Sequence, residues 1–171
     1  MKSSVLVLAG SLLLPAAAFA QGINDAQIAK IVVTANQVDV DAGRLAASKA
    51  TNPEVKKFAQ TMVTDHTGVN KQAVDLATKL GVKPEDNDTA KSLASGGQAN
   101  LANLKTLKGK EFDKAYVDHE VAYHQAVLDA VDKTLIPGAK NEELKALLVK
   151  VRPAFVAHFE HAKMVQSDLS K

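Results

Sequence analysis

The stretch "NPEVKKFAQTMVTDHTGVNKQAVDLATKLG", Asn52–Gly81, reads as one whole helix with a stop signal at each end. Asn52 is a side-chain cap. Pro53 takes the first helical position, where its missing N–H costs nothing, and Glu54 meets the positive end of the helix dipole. Gly81 supplies a left-handed cap at the far end, with Pro84 soon after. Between the stops, Val55, Ala59, Met62, Val69, Ala73, Leu76 and Leu80 recur at helical spacing and form one apolar face. His66 stands at the centre of that face. A buried imidazole costs free energy unless something bonds it, so the helix raises the question of what meets His66.

The same spacing organises the chain on both sides. A first helix opens at Asn24, with Gln27 three residues on in a capping-box arrangement, and carries the stripe Ile28, Ile31, Val32, Ala35, Val38, Ala42, Leu45 and Ala46. It ends near Ala50. A third helix runs from near Lys110 to Ile136-Pro137-Gly138. A fourth caps at Asn141, followed by Glu142 and Glu143, and continues almost to the C-terminus. Pro153 lies inside it, where it removes one backbone bond and bends the helix. Residues 82–109 form a long connection containing "EDND" and "SGG", with short helices expected around Ala90–Ser95 and Ala99–Leu107. A connection of that length fits a chain crossing over a bundle. No strand pattern is present. The reading is all-α: a four-helix bundle with a long crossover between helices 2 and 3.

The first twenty of the 171 residues stand apart from this pattern. "MKSSVLVLAGSLLLPAAAFA" has a positive start at Lys2, an apolar stretch from Val5 to Leu14, and a small-x-small end at Ala18-Phe19-Ala20. Residues 1–20 are expected to be a secretory signal peptide cleaved after Ala20, leaving residues 21–171 as one bundle domain in the periplasm or envelope. The apolar stretch is too short to span a membrane, and no later segment approaches that length. The formal charge is +2 for the whole chain and falls to +1 without Lys2. That balance, with lysines and acids interspersed, gives no electrostatic case for nucleic acid or an anionic membrane. There is no cysteine, so there is no disulfide and no thiolate for nucleophilic catalysis or metal binding. Any metal has to be held by imidazole, carboxylate, backbone or water.

On helical wheels each long helix places a polar residue inside its apolar stripe. Asp39 lies inside on the first helix. His66 lies inside on the second, with Asp65 at the edge. Glu120 and His124, four apart on the third, share a face with Tyr116, Tyr123, Val127 and Val131. His158 lies inside on the fourth. His119 and His161 fall at borders and read as rim residues, and Tyr116 and Tyr123 read as core aromatics with bonded hydroxyls. Counted from the turns, Asp39 and His66 lie within roughly 5 Å along the bundle axis, whereas His124 and His158 differ by about 12 Å before any bend. Three imidazoles and two carboxylates near mid-height compose a metal site. A hydrogen-bonded Asp–His network without metal is the competing arrangement, with Asp39 or Asp65 as the partner of His66.

Through "EVKKFAQTMVTDH" (Glu54–His66), "FDKAYVDHEVAYH" (Phe112–His124) and "RPAFVAHFEHA" (Arg152–Ala162), the sequence resembles an exported family of ferritin-like helical bundles, domain of unknown function 4142. The resemblance covers about Asn24 to Leu169. It implies a ferritin-like fold, and it maps the family's acidic position on the first helix to Asp39, its Asp-His pair to Asp65-His66, and its later histidines to His124 and His158. The Glu-x-x-His spacing of ferritin-like di-metal centres is incomplete: Val63 lies three before His66, and Phe155 three before His158.

The function expected from these residues is binding of a transition metal (Zn, Fe, Mn or Cu) inside the bundle, for metal handling or protection in oxidative stress. His66, His124 and His158 would be ligands with Glu120, while Asp39 and Asp65 orient imidazoles. Binding would weaken below about pH 6 as histidines protonate. The alternative is a non-enzymatic envelope protein with a metal-free structural or pH-sensing His/Asp network. A metal-dependent oxidoreductase is a third reading, weakened by the few inward carboxylates.

Overall fold

The computed structural model describes residues 22–171, so the expected signal peptide and its cleavage site lie outside the described residues. Four long helices cross the core: α1 (Asp25–Lys49), α2 (Pro53–Lys79), α4 (Gly109–Ala130) and α6 (Glu142–Leu169). A fifth, α3 (Asp88–Thr106), packs on the outside of α1. After α4 the chain makes a π-helical turn, Val131–Leu135, then a single turn, α5 (Ile136–Gly138), before α6. No strand occurs among the described residues.

The starts and stops follow from local chemistry. Asn24 accepts from the Gln27 amide at 2.8 Å, and the Gln27 side chain accepts from the Asn24 amide, completing the capping box of α1. Asn52 and Asn141 cap α2 and α6 by accepting from amides two and three residues on. Gly81 adopts φ +66°, and the Val82 amide donates to the Ala77 carbonyl, which closes α2 through a left-handed cap. Pro153 lies within α6, which runs unbroken through it.

The connection between α2 and α4 differs from expectation. It holds one continuous helix of 19 residues, not two short pieces. The "SGG" that reads as a break serves helix–helix approach instead. A Cβ on Gly97 would lie 2.7 Å from a methyl of Val38, so glycine is what lets α3 lie against α1. Lys49 of α1 then donates to the carbonyls of Leu104 and Lys105 in the last turn of α3.

Two apolar clusters fill the bundle. One, near the α5 end, holds Ile28, Val32, Val69, Leu128, Leu148 and Phe155 among others. The other, near the α1–α2 turn, holds Ala46, Phe58, Met62, Tyr116, Val117 and Ala162. Each of the four core helices passes from one cluster to the other, and between them it carries its inward polar residue. Core packing therefore fixes a polar layer at mid-height.

Candidate metal centre

The layer is built of Asn36 and Asp39 from α1, His66 from α2, Glu120 and His124 from α4, and His158 from α6. All are at most 5% exposed. The three imidazoles form a triangle with ring centroids 5.1, 5.6 and 5.6 Å apart. His66 also stacks on Phe155 at 5.5 Å, with the two planes 7° from parallel.

The 12 Å mismatch in height expected between His124 and His158 does not occur. The turn lies at Ala139–Asn141, not at Pro137, because the backbone remains helical through the proline to Gly138. Counted from the helix ends, His124 is 14 residues before Gly138 and His158 is 16 after Glu142, a difference of about 3 Å. Asp25 accepts from the amides of Lys140 and Asn141 and holds that turn against the start of α1.

The hydrogen bonds determine which ring nitrogens are protonated. Asn36 donates through Nδ2 to the Val32 carbonyl, so its Oδ1 faces His66 as an acceptor. His66 Nδ1, 2.7 Å from that oxygen, therefore carries the proton. His124 Nδ1 donates to the Glu120 carbonyl at 3.0 Å. His158 donates from Nε2 to the Asp65 carboxylate at 2.9 Å. Each ring has one N–H fixed by an acceptor, which leaves the other nitrogen as a lone pair. Those nitrogens, His66 Nε2, His124 Nε2 and His158 Nδ1, are buried and have no hydrogen-bond partner in the protein. One ring nitrogen from each of the three residues lies within 4.8 Å of the other two.

A second group shares His124. Asp39 and Glu120 each bring a carboxyl oxygen within 4.8 Å of one another and of a His124 nitrogen. Both Glu120 oxygens and Asp39 Oδ1 lack a partner, as does the buried Tyr116 hydroxyl. Asp39 Oδ2 faces His66 Nε2 at 3.5 Å, too far for a good hydrogen bond. It is close to the separation of about 3.3 Å between two ligands each about 2 Å from a tetrahedral ion. An unpartnered buried polar atom costs about 1–3 kcal/mol, so a group of them converging on one space marks a place that expects a ligand.

Burial shapes the charges. It drives the His66 imidazole far below its ordinary pKa, with further lowering by the neighbouring His124 and His158. Burial lowers His124 to about 4, against an upward pull from the Glu120 carbonyl. His158 is also lowered by burial, less the pull of Asp65. All three rings are neutral at pH 7, the form that ligates metal. Burial pushes Asp39 up to about 7 and Glu120 well above its ordinary value, and Asp39 raises Glu120 further. In the protein alone, this carboxyl pair holds a proton near neutrality.

Of the six residues singled out from sequence, Asp39, His66, Glu120, His124 and His158 meet in the layer. Asp65 is half-exposed and lies outside it, bonded to the back of His158. His119 stacks on Tyr123 at the rim, and His161 stands edge-on to Phe58. Tyr123 donates its hydroxyl to the Ala35 carbonyl as expected, but Tyr116 has no partner. Sequence reasoning missed Asn36. It is His66's hydrogen-bond partner, a place expected for Asp39 or Asp65. The signal was present, since Asn36 falls four after Val32 and three before Asp39 on the inward face.

No curated protein matches the chain in sequence. Among solved structures it is similar to "CopM in the Cu(II)-bound form", with a TM-score of 0.66 and 18% identity over 85% of this chain and 98% of that one. At that identity the likeness shows a shared helical fold. The family model of the domain of unknown function DUF4142 matches residues 13–165, and the chain belongs to that family.

Proposed function

We propose that the bundle binds one divalent transition metal ion in its polar layer. His66, His124 and His158 are the nitrogen ligands, and Glu120 or Asp39 supplies an anionic oxygen. The observation that carries this reading is the pinning of one N–H on each imidazole, which leaves an unpartnered nitrogen on each of three buried rings packed within 5.6 Å of one another, beside unpartnered carboxyl oxygens. Asn36, Asp65 and the Glu120 carbonyl orient the rings, the usual role of groups that bond the far nitrogen of a ligating histidine. The metal-free network would need those lone pairs to find donors, and the layer supplies few. Neutral imidazoles with carboxylate suit Cu(II), Zn, Fe or Mn. The similar fold that binds Cu(II) makes copper the first ion to try.

The expected setting is outside the cytoplasm, after removal of residues 1–20, and the role is metal handling or protection from oxidative damage rather than turnover of an organic substrate. The test is metal content and thermal stability of protein carrying no histidine tag. An ion at a hundredfold excess over its dissociation constant should stabilise the fold by about 2.7 kcal/mol. Equal stability with and without Cu(II), Zn, Mn and Fe at neutral pH would reject the reading.

A further inference from the structure

A cavity of about 140 Å3 lies against the polar layer. Asn36, Asp39 and His66 form its buried side. Its lining reaches exposed residues at Thr89, in the first turn of α3, and Ala126 on α4. The walls between are almost wholly apolar, with Val127, Val131, Leu148, Val151 and Phe155 prominent.

Three features of the chain hold this space open. The close approach of α3 to α1 is made at Gly97, about two turns beyond Thr89 and one beyond Leu93, both of which line the cavity. The residues of α4 that line it include two alanines, Ala126 at the exposed mouth and the part-buried Ala130, so the lining there carries no side chain longer than a methyl. The π-helical turn contributes both of its end residues, Val131 and Leu135, to the wall. Such turns are rare and occur often at functional sites. Close-packed cores hold few voids larger than a water molecule, and a void this size is costly to maintain. A dry apolar cavity of about 150 Å3 accepts benzene or xenon, so the volume matches a molecule of that size.

We propose that this cavity is a binding site for a small, uncharged, largely apolar molecule, about the size of benzene, which enters between the start of α3 and the end of α4 and rests against Asp39 and His66. The lining contains no cation, and Asp39 is the ionisable carboxyl at its inner end, so an organic anion would be stripped of water with no partner. The site does not require the metal. If the metal reading holds as well, the bound molecule lies beside the ion.

The test uses metal-free protein with benzene, phenol, benzoate and xenon as probes. Xenon under pressure should appear in a crystal between Val127, Val151 and Phe155. Benzene and phenol should shift the methyl resonances of Val127, Val131 and Val151 saturably. Benzoate should bind at least about tenfold more weakly than phenol. Ala130→Phe, which fills the cavity, should weaken benzene by a similar factor, and Val127→Met serves if that variant does not fold. Absence of xenon from the cavity, benzoate equal to phenol, or benzene binding unchanged in a folded filled variant would each overturn the proposal. A separate metal titration of the same preparation tells its failure from failure of the metal centre.

Discussion

Two places in this molecule bury carboxylates completely, and they treat them in opposite ways. Asp113 of α4 sits at the α1–α2 turn, where it accepts from the Thr51 amide, the Thr51 hydroxyl at 2.6 Å and the Asn52 amide at 2.8 Å. Glu120, two turns further along the same helix, is just as buried, yet neither of its oxygens accepts from an N–H or a hydroxyl, and its one side-chain partner is the Asp39 carboxyl, with which it shares a proton. One carboxylate spends its bonding capacity on the fold. The other leaves most of it unspent beside Asp39 and His124. Burial alone does not distinguish the two, since both are buried; what differs is how much of their bonding capacity the fold meets.

The contrast can be broken by mutation. Asp113→Ala should be the most damaging change, costing about 3 kcal/mol, because it leaves two amides and a hydroxyl at the α1–α2 turn without their acceptor. Chemical denaturation would measure it. Glu120→Gln should cost far less in metal-free protein, because the amide keeps the side chain's shape and can still bond the Asp39 carboxyl. If Glu120→Gln instead matched Asp113→Ala, the two sites would not differ as described.

Next in size is the metal effect. His66→Ala should abolish most of the roughly 2.7 kcal/mol of stabilisation conferred by saturating metal, whereas His119→Ala, at the rim, should retain it. Thermal melts with and without Cu(II) or Zn read both. Retention of the full gain in His66→Ala would remove that residue from the site.

The smaller effects appear in pH dependence, where the two halves of the polar layer pull in opposite directions. His124 has a folded pKa of about 4 against an ordinary 6.5. Between those values the unfolded chain binds the proton and the folded one does not, so stability falls as pH drops through that window. Asp39 is the reverse, at about 7 folded against 3.8. The folded state holds the proton in that window, so stability is lost as pH rises through it. Asp39→Asn should therefore gain on wild type from about pH 4 to 7, by at most about 1.4 kcal/mol per pH unit. Urea titrations at several pH values test the sign. For the proposed metal affinity, these shifts would move the weakening away from the pH 6 of ordinary histidines. Burial moves proton competition at His124 to about pH 4, and the carboxyl pair brings its own competition near pH 7.

Much of this was legible in the sequence, because amphipathic periodicity states which way a side chain faces. The stripe around His66, the pair Glu120 and His124, and the caps at Asn24, Asn52 and Asn141 all follow from spacing of 3.6 and from side-chain chemistry. What periodicity lacks is the partner across the bundle. Asn36, not Asp39 or Asp65, bonds His66, and that depends on the relative rotation of α1 and α2. Gly96-Gly97 reads locally as a break, and only the proximity of Val38 shows that it is a contact. Pro137 reads as the end of a helix, but the π turn before it carries the backbone through to Gly138, which brings His124 level with His158. The cavity is legible at no single residue, because it is what packing leaves between α1, α3, α4 and α6, with His66 of α2 at its inner end.

The most direct test of the metal centre is a long-range proton–nitrogen spectrum of the imidazoles in metal-free protein at pH 7, repeated with zinc. The expected spectrum has protons on Nδ1 of His66, Nδ1 of His124 and Nε2 of His158. Zinc should then move the three bare nitrogens, His66 Nε2, His124 Nε2 and His158 Nδ1, while His119 and His161 keep their shifts. A proton on any of those three nitrogens before zinc, or no movement after it, would contradict the converging lone pairs on which the metal centre rests.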